Sequence, residues 1–424
     1  MYDHSEVINR KTILSFAITK LLCAPDGEPP RPPLTTDQQC AILSQRLALD
    51  INSSAYVISG STRNYDMADK AQLQISNYMR VCVAIPEDLV AVRGVATSEP
   101  ILSEAASCIM RGRYHFDLPD ALLNILDSYA IDHGEGGELL VAAFFTRARD
   151  LHVRDMPEAE LFPQKMEELC PIFSVNDLLS HLFQGAHFRT MFHSFPSVCR
   201  AGFPPQKFGD VFENTKMHFN HMIKPFKQAV LTRQNLLAMM ARGAAAFGAN
   251  GQHGFDMAYP FLYDTDDLDV KKVGCVLVQV KNFVDSIPAK DKINFYQKLD
   301  PFYCSLLDKN NDFTVPIIRI VFSLGDKKTG LYHQTYNSPE DGAKTFNKEG
   351  QPKFTSYDFW CSGIGPNLLR PVDENDSQTK WQTLLGKLTK WDGLFSKAPG
   401  IRRSQYPAGG THPGHFSAWL SESG

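Results

Sequence analysis

A chain of 424 residues with 43% hydrophobic content can fill two or three domain cores, and a formal net charge of −4 excludes a globally basic nucleic-acid binder while leaving room for a local basic groove. Its nine cysteines are scattered, odd in number and form no C-x-x-C pair, which excludes a disulfide framework and a zinc ribbon and fits a reducing intracellular compartment, nucleus or cytoplasm. No apolar run approaches a membrane span, so no membrane partner is expected.

Residues 1–23 read as an amphipathic helix whose apolar part, Ile13–Cys23, is too short and too mixed in its flanking charge for a signal peptide. The proline-rich stretch 24–34 breaks it. A polar cap and helical periodicity predict a second helix over Thr35–Leu49, and 53–66 reads as a loop. Helical patterns over Met67–Ala84, Glu99–Met110 and Pro119–Ala130 then predict an all-helical N-terminal region, 1–130.

At Asp132 two glycine-bearing turns lead to Glu138 and a nearly continuous apolar helix ending near Leu151. An acid in the first helical turn is favoured by the macrodipole whatever its function. Val175–Phe183, Gly209–Gln228 and Thr232–Ala246 extend the helical pattern, giving a helical insertion of about 152–245, with a short strand beginning within 244–250. Helical spacing over FENTKMHFNHM would set Glu213, His218 and His221 one or two turns apart as a rival acid or metal pair, though two histidines without a third ligand are more often packing or surface. His187 and His193 lack metal-site spacing.

The most informative stretch is Gly254–Asn282. Phe255–Tyr263 and Val273–Val284 are rich in aromatic and β-branched residues around a polar turn, which predicts a β-hairpin. Folding it about Leu268 sets Asp256 opposite Val280, give or take one residue, while Gln279 and Lys281 share a face because strand side chains alternate. Asp256 reaches that face only if the register slips by one. A carboxylate, an amide oxygen and an ammonium would then converge where Mg²⁺ or Mn²⁺ can sit. Gln279 and Lys281 also interrupt an apolar run that otherwise reads as buried on both faces, where an unpaired lysine is unusual.

Ala289–Leu307 reads as a helix and Pro316–Leu324 as a strong strand. Leu331–Tyr336 and Phe354–Cys361 read as edge strands, Ser377–Leu394 as a helix with Trp381 and Trp391, and 398–424 as a flexible tail.

Asp256 followed across a hairpin by Gln279-Val280-Lys281 resembles the active site of the PD-(D/E)XK nuclease superfamily, where Asp is followed by Glu-x-Lys or, in Mrr-like members, Gln-x-Lys. Gly-x-x-Gly-Glu ending at Glu138 is similar to the first helix of Holliday-junction resolvases, where the Glu supports the metal site. Over about Met79–Asn282 the chain resembles fungal Crinkler-type proteins with such a domain, although the P-loop that many of them carry is absent. The resemblance implies an α/β (α+β) fold with a restriction-endonuclease-like mixed sheet over 131–345, followed by a C-terminal extension over 346–424. It implies a metal-dependent endonuclease with Asp256, Gln279 and Glu138 as ligands of Mg²⁺ or Mn²⁺, Lys281 as transition-state stabiliser, and DNA as partner. An inactive module of the same fold, binding nucleic acid, a protein or a second copy of itself, is the alternative.

Overall fold

The computed structural model describes residues 10–24, 32–52, 63–84, 93–112, 116–129, 131–132, 136–156, 171–225, 231–249, 254–265, 267–281, 289–307, 315–336, 346, 352–374 and 377–389. Within them, thirteen helices and two sheets make a mixed α/β fold. None of these helices is long and apolar enough to cross a membrane.

The N-terminal part runs α1 (Arg10–Leu21), α2 (Thr36–Leu47), β1 (Asp50–Asn52), α3 (Arg63–Asn77), β2 (Arg80–Ala84), β3 (Arg93–Ala96), α4 (Pro100–Arg111), α5 (Leu118–Ser128) and β4 (Ile131–Asp132). Thr35 and Gln38 form a reciprocal capping box that starts α2. Four strands pair in the order β2-β3-β1-β4, and three of them, β1, β2 and β3, lie in a region expected to be all helical. The expected helix Met67–Ala84 is divided because Met79 adopts φ +58°. The chain then extends through Val81 and Val83, with Arg80 donating to Ser44 Oγ, Leu49 O and Gly94 O at 2.6, 2.8 and 2.5 Å. Of the expected loop, 63–66 is already helix and 53–62 lies outside the described residues.

The chain continues through α6 (Gly137–Asp155), α7 (Val175–Leu182), α8 (Gly185–Phe192), α9 (Phe208–Phe212), β5 (Lys216–Met217), β6 (His221–Ile223), α10 (Arg233–Ala241), β7 (Ala244–Phe247), β8 (Met257–Leu262), β9 (Val273–Lys281), α11 (Ala289–Lys298), β10 (Ile317–Ser323), β11 (Gly330–His333), β12 (Ser356–Ser362), α12 (Arg370–Asp373) and α13 (Gln378–Thr389). Of the helix expected over Gly209–Gln228, only the turn ending at Phe212 forms, and 226–228 lie outside the described residues. Thr215 Oγ1 donates to Phe212 O at 2.7 Å and accepts from Val175 N at 3.0 Å, and two short strands follow. Likewise α10 ends at Ala241, and Ala244–Ala246 belong to β7. Trp391 and 398–424 lie outside the described residues.

The second sheet has the order β11-β12-β10-β9-β8-β7-β6, with β9 antiparallel to β8 and parallel to β10. β12, expected at an edge, lies between β10 and β11. Its Asp358 does not mark a solvent face, because it takes a fork of bonds from Arg319 at 2.7 and 2.5 Å and is fully buried.

Helix α6 crosses one face of this sheet, where Phe145 stacks on Tyr259 at 4.3 Å and meets Phe322 edge-on at 6.1 Å. Helix α11 covers the other face, its Tyr296 carbonyl accepting from Arg319 at 2.8 Å and its Phe295 packing 5.9 Å from Trp360. A single apolar core extends from Leu21 in α1 to Leu388 in α13, so the N-terminal elements and the large sheet are packed together.

Candidate active site

Strand β9 is apolar on both faces and buried to its last residue, as a central strand between antiparallel and parallel neighbours requires. Its ladder with β8 pairs Met257 with Val278 and Tyr259 with Val276, and Asp256 stands one residue before the Met257–Val278 pair. The ladder register differs by one residue from folding about Leu268, in the direction that brings Asp256 to the Gln279 and Lys281 end.

The chain enters β8 through Gly254, whose φ is +101°. A Cβ there would stand 2.8 Å from Cys304 Sγ and 3.2 Å from the Lys298 carbonyl, so both conformation and space call for glycine. Asp256 N then donates to Val278 O at 2.9 Å, although Met257 is the residue paired with Val278. Two residues facing one kink the strand. The kink turns the Asp256 carboxylate onto β9, where Oδ2 accepts from Val280 N at 2.5 Å. That amide joins Gln279 to Val280, so Asp256 is tied to the end of β9 that carries Gln279 and Lys281.

Gln279 is 5% exposed, and its Oε1 is buried without a hydrogen-bond partner. An orphaned buried acceptor costs about 1–3 kcal/mol, which is recovered when a donor or cation reaches it. Lys281 is half-buried with Nζ 5.9 Å from the Phe295 ring centroid, and it has no ion-pair partner among the described residues. The parallel register sets Ser323 of β10 beside Lys281 on the same face, and Ser323 Oγ is a second buried oxygen without a partner. Sequence reasoning passed over Ser323, whose signal was its place at the end of the strong strand PIIRIVFSL.

One carboxylate and one amide oxygen at the mouth of a strand pair fit Mg²⁺, which keeps several waters and takes few protein ligands. Among the described residues no group of three or more His, Cys, Asp or Glu side chains is placed to hold a metal. Glu138 lies in the first turn of α6 and is half-buried. Helix α6 packs against the Tyr259 face of the sheet, and Lys281 points to the opposite face, toward α11.

The rival acid and histidines do not gather. Glu213 is exposed at the end of α9. His218 Nδ1 donates to Met240 O at 2.9 Å. His221 Nδ1 bonds Asn220 Oδ1 and its Nε2 bonds Ser98 Oγ, both at 2.7 Å, which occupies both ring nitrogens. Burial, reinforced by the Arg46 and Arg242 guanidiniums, pushes the His221 pKa down to about 3, so its ring is a neutral anchor and a weak base. His187 sits on α8 and His193 caps its end.

The chain matches no protein-family model, no curated protein and no solved structure.

Proposed function

We propose that the chain is a metal-dependent nuclease of the restriction-endonuclease-like type, hydrolysing DNA phosphodiesters at Asp256, Gln279 and Lys281. The observation that supports it most is the presence, at one strand end, of a carboxylate, an orphaned amide oxygen and an ammonium with no acid partner among the described residues. The element order α6, an insertion, β7, β8, β9, α11 and β10 supports the same reading, being helix, three strands, helix and strand.

In this reading Asp256 and the Gln279 oxygen hold the ion, with Glu138 as an outer acid. A bound Mg²⁺ or Mn²⁺ supplies positive charge at a phosphoryl oxygen and a more acidic water. Lys281 places its ammonium where negative charge develops on the phosphate, and the apolar wall of β8 and β9 limits screening of that charge by solvent. Asp256, already tied to the Val280 amide, cannot swing away and so presents its carboxylate in a fixed place.

A specific observation favours a second reading, an inactive module that keeps the fold and binds nucleic acid or a protein. Gln279 stands where most family members carry an acid, and the missing charge is worth about 4 kcal/mol at about 4 Å with an effective dielectric near 20. Cleavage of plasmid and oligonucleotides by purified protein with Mg²⁺ or Mn²⁺ separates the two. Cutting that needs the metal and disappears in folded Asp256→Ala and Lys281→Ala variants supports the nuclease. Undiminished cutting in both variants rejects this site, and a wild type that binds DNA without cutting it favours the module.

A further inference from the structure

The lysines around α11 differ from several cations elsewhere that are paired with acids, and resemble Lys20, Lys70 and Lys272, which also lie over rings. Arg147 is forked to Glu374, Lys380 reaches Asp117 and Asp120, and Lys387 reaches Asp127. By contrast, Lys281, Lys292 and Lys298 have no acid partner among the described residues and lie over aromatic rings instead. Lys281 and Lys298 stand 5.9 and 5.7 Å from the Phe295 centroid, and Lys292 stands 4.7 Å from that of Trp360 and 5.7 Å from that of Tyr332. Rings hold these ammonium groups in place without cancelling their charge.

Two exposed tyrosines flank the row. Tyr303 is 63% exposed beyond the end of α11, its ring 3.3 Å from the Cβ position of Gly254, two residues before Asp256. Tyr332 on β11 is 51% exposed at the other side. Large exposed rings next to uncompensated lysines fit one occupant. A duplex keeps its bases stacked inside and offers only phosphates to such a surface, whereas an unpaired strand offers phosphates to the lysines and base faces to the rings.

We infer that this face is a track for a single strand of nucleic acid, gripped by Lys281, Lys292 and Lys298 and stacked on Tyr303 and Tyr332, which delivers an unpaired backbone to the Asp256 end. The inference rests on the nuclease reading for its direction, and its test does not depend on cleavage. A labelled oligothymidylate and a labelled duplex are titrated with full-length protein in EDTA, and anisotropy reports affinity. The single strand is expected to bind at least about tenfold tighter. Tyr332→Ala and Tyr303→Ala should each weaken single-strand binding by about 5- to 100-fold, while Tyr332→Phe retains it. Lys292→Ala should lower the slope of log affinity against log salt by about 0.7.

Equal or tighter duplex binding, or single-strand affinity unchanged in both alanine variants, overturns the track. Since both tyrosines are exposed, near-ultraviolet circular dichroism is expected to show the variants folded. Tyrosine-dependent single-strand binding without cleavage of any substrate would keep the track and reject the hydrolytic reading. Metal-dependent cleavage of duplex that ignores both tyrosines would do the reverse.

Discussion

Two polar clusters inside this molecule are built on opposite terms. At the junction of α2, α4, α6 and β6, Arg46 forks onto Asp150 at 3.1 and 2.9 Å. Arg149 reaches Glu104 at 2.8 Å, and Ser107 Oγ donates to Asp150 Oδ1 at 2.9 Å. Arg46 also donates to the Asn220 carbonyl. All four charged side chains are essentially fully buried, and each guanidinium faces a carboxylate. At the β8–β9 end, Gln279 Oε1 and Ser323 Oγ are equally buried but unmatched, and the nearby ammonium has a ring for a neighbour. A matched cluster fixes how elements pack, whereas under the proposed reading the unmatched oxygens beside the lysine serve an incoming ligand.

The contrast breaks most sharply at Asp150. Burial alone would raise its carboxyl pKa, but the Arg46 and Arg149 guanidiniums outweigh burial and hold it well below the usual range. Asp150→Asn leaves two buried guanidiniums short of an anion and should cost about 3–5 kcal/mol in urea unfolding. Its contribution in the wild type is complete above the unfolded carboxylate pKa of about 3.9 and is lost as pH falls below that value.

A smaller effect of the same sign comes from His221, held neutral between Asn220 and Ser98. The folded pKa, about 3, lies below the unfolded value of about 6.5, so its stabilisation is full above pH 6.5 and erodes as pH falls toward 3. Between pH 7 and pH 5 this single group should cost about 2 kcal/mol, measured as the part of the pH-dependent loss that His221→Gln removes.

The site should respond in the opposite direction. Gln279→Leu removes an orphaned buried acceptor and should leave stability unchanged or raise it by about 1 kcal/mol in the same unfolding assay, while abolishing divalent-ion binding. Ser323→Ala should likewise be neutral to slightly stabilising. A loss above about 2 kcal/mol in either variant would mean that these oxygens have structural partners, and the contrast between the clusters would collapse.

What the sequence revealed follows from where the physics is local. The hairpin, β10 and the capped helices α2 and α7 were legible because alternation, β-branching and caps act over a few residues. The small N-terminal sheet was hidden because its strands are two to five residues long and its pivot is the left-handed Met79, which no periodicity announces. FENTKMHFNHM carries a helical spacing that tertiary contacts override through Thr215 and the β6–β7 pairing. At the site, residue types were readable and register was not. The deciding slip depends on the Asp256 kink and on Gly254 fitting against Cys304, a contact fifty residues away in the chain.

Titration of Mn²⁺ into the purified protein by calorimetry, beside Asp256→Ala, tests the central claim most directly, because ion binding at a named pair of oxygens cannot be supplied by a contaminating nuclease. One site in the wild type, lost in Asp256→Ala and tightened at least about tenfold in Gln279→Glu, is the expected result. Identical binding in the wild type and Asp256→Ala, or none in the wild type and Gln279→Glu alike, would contradict a metal centre at this strand end.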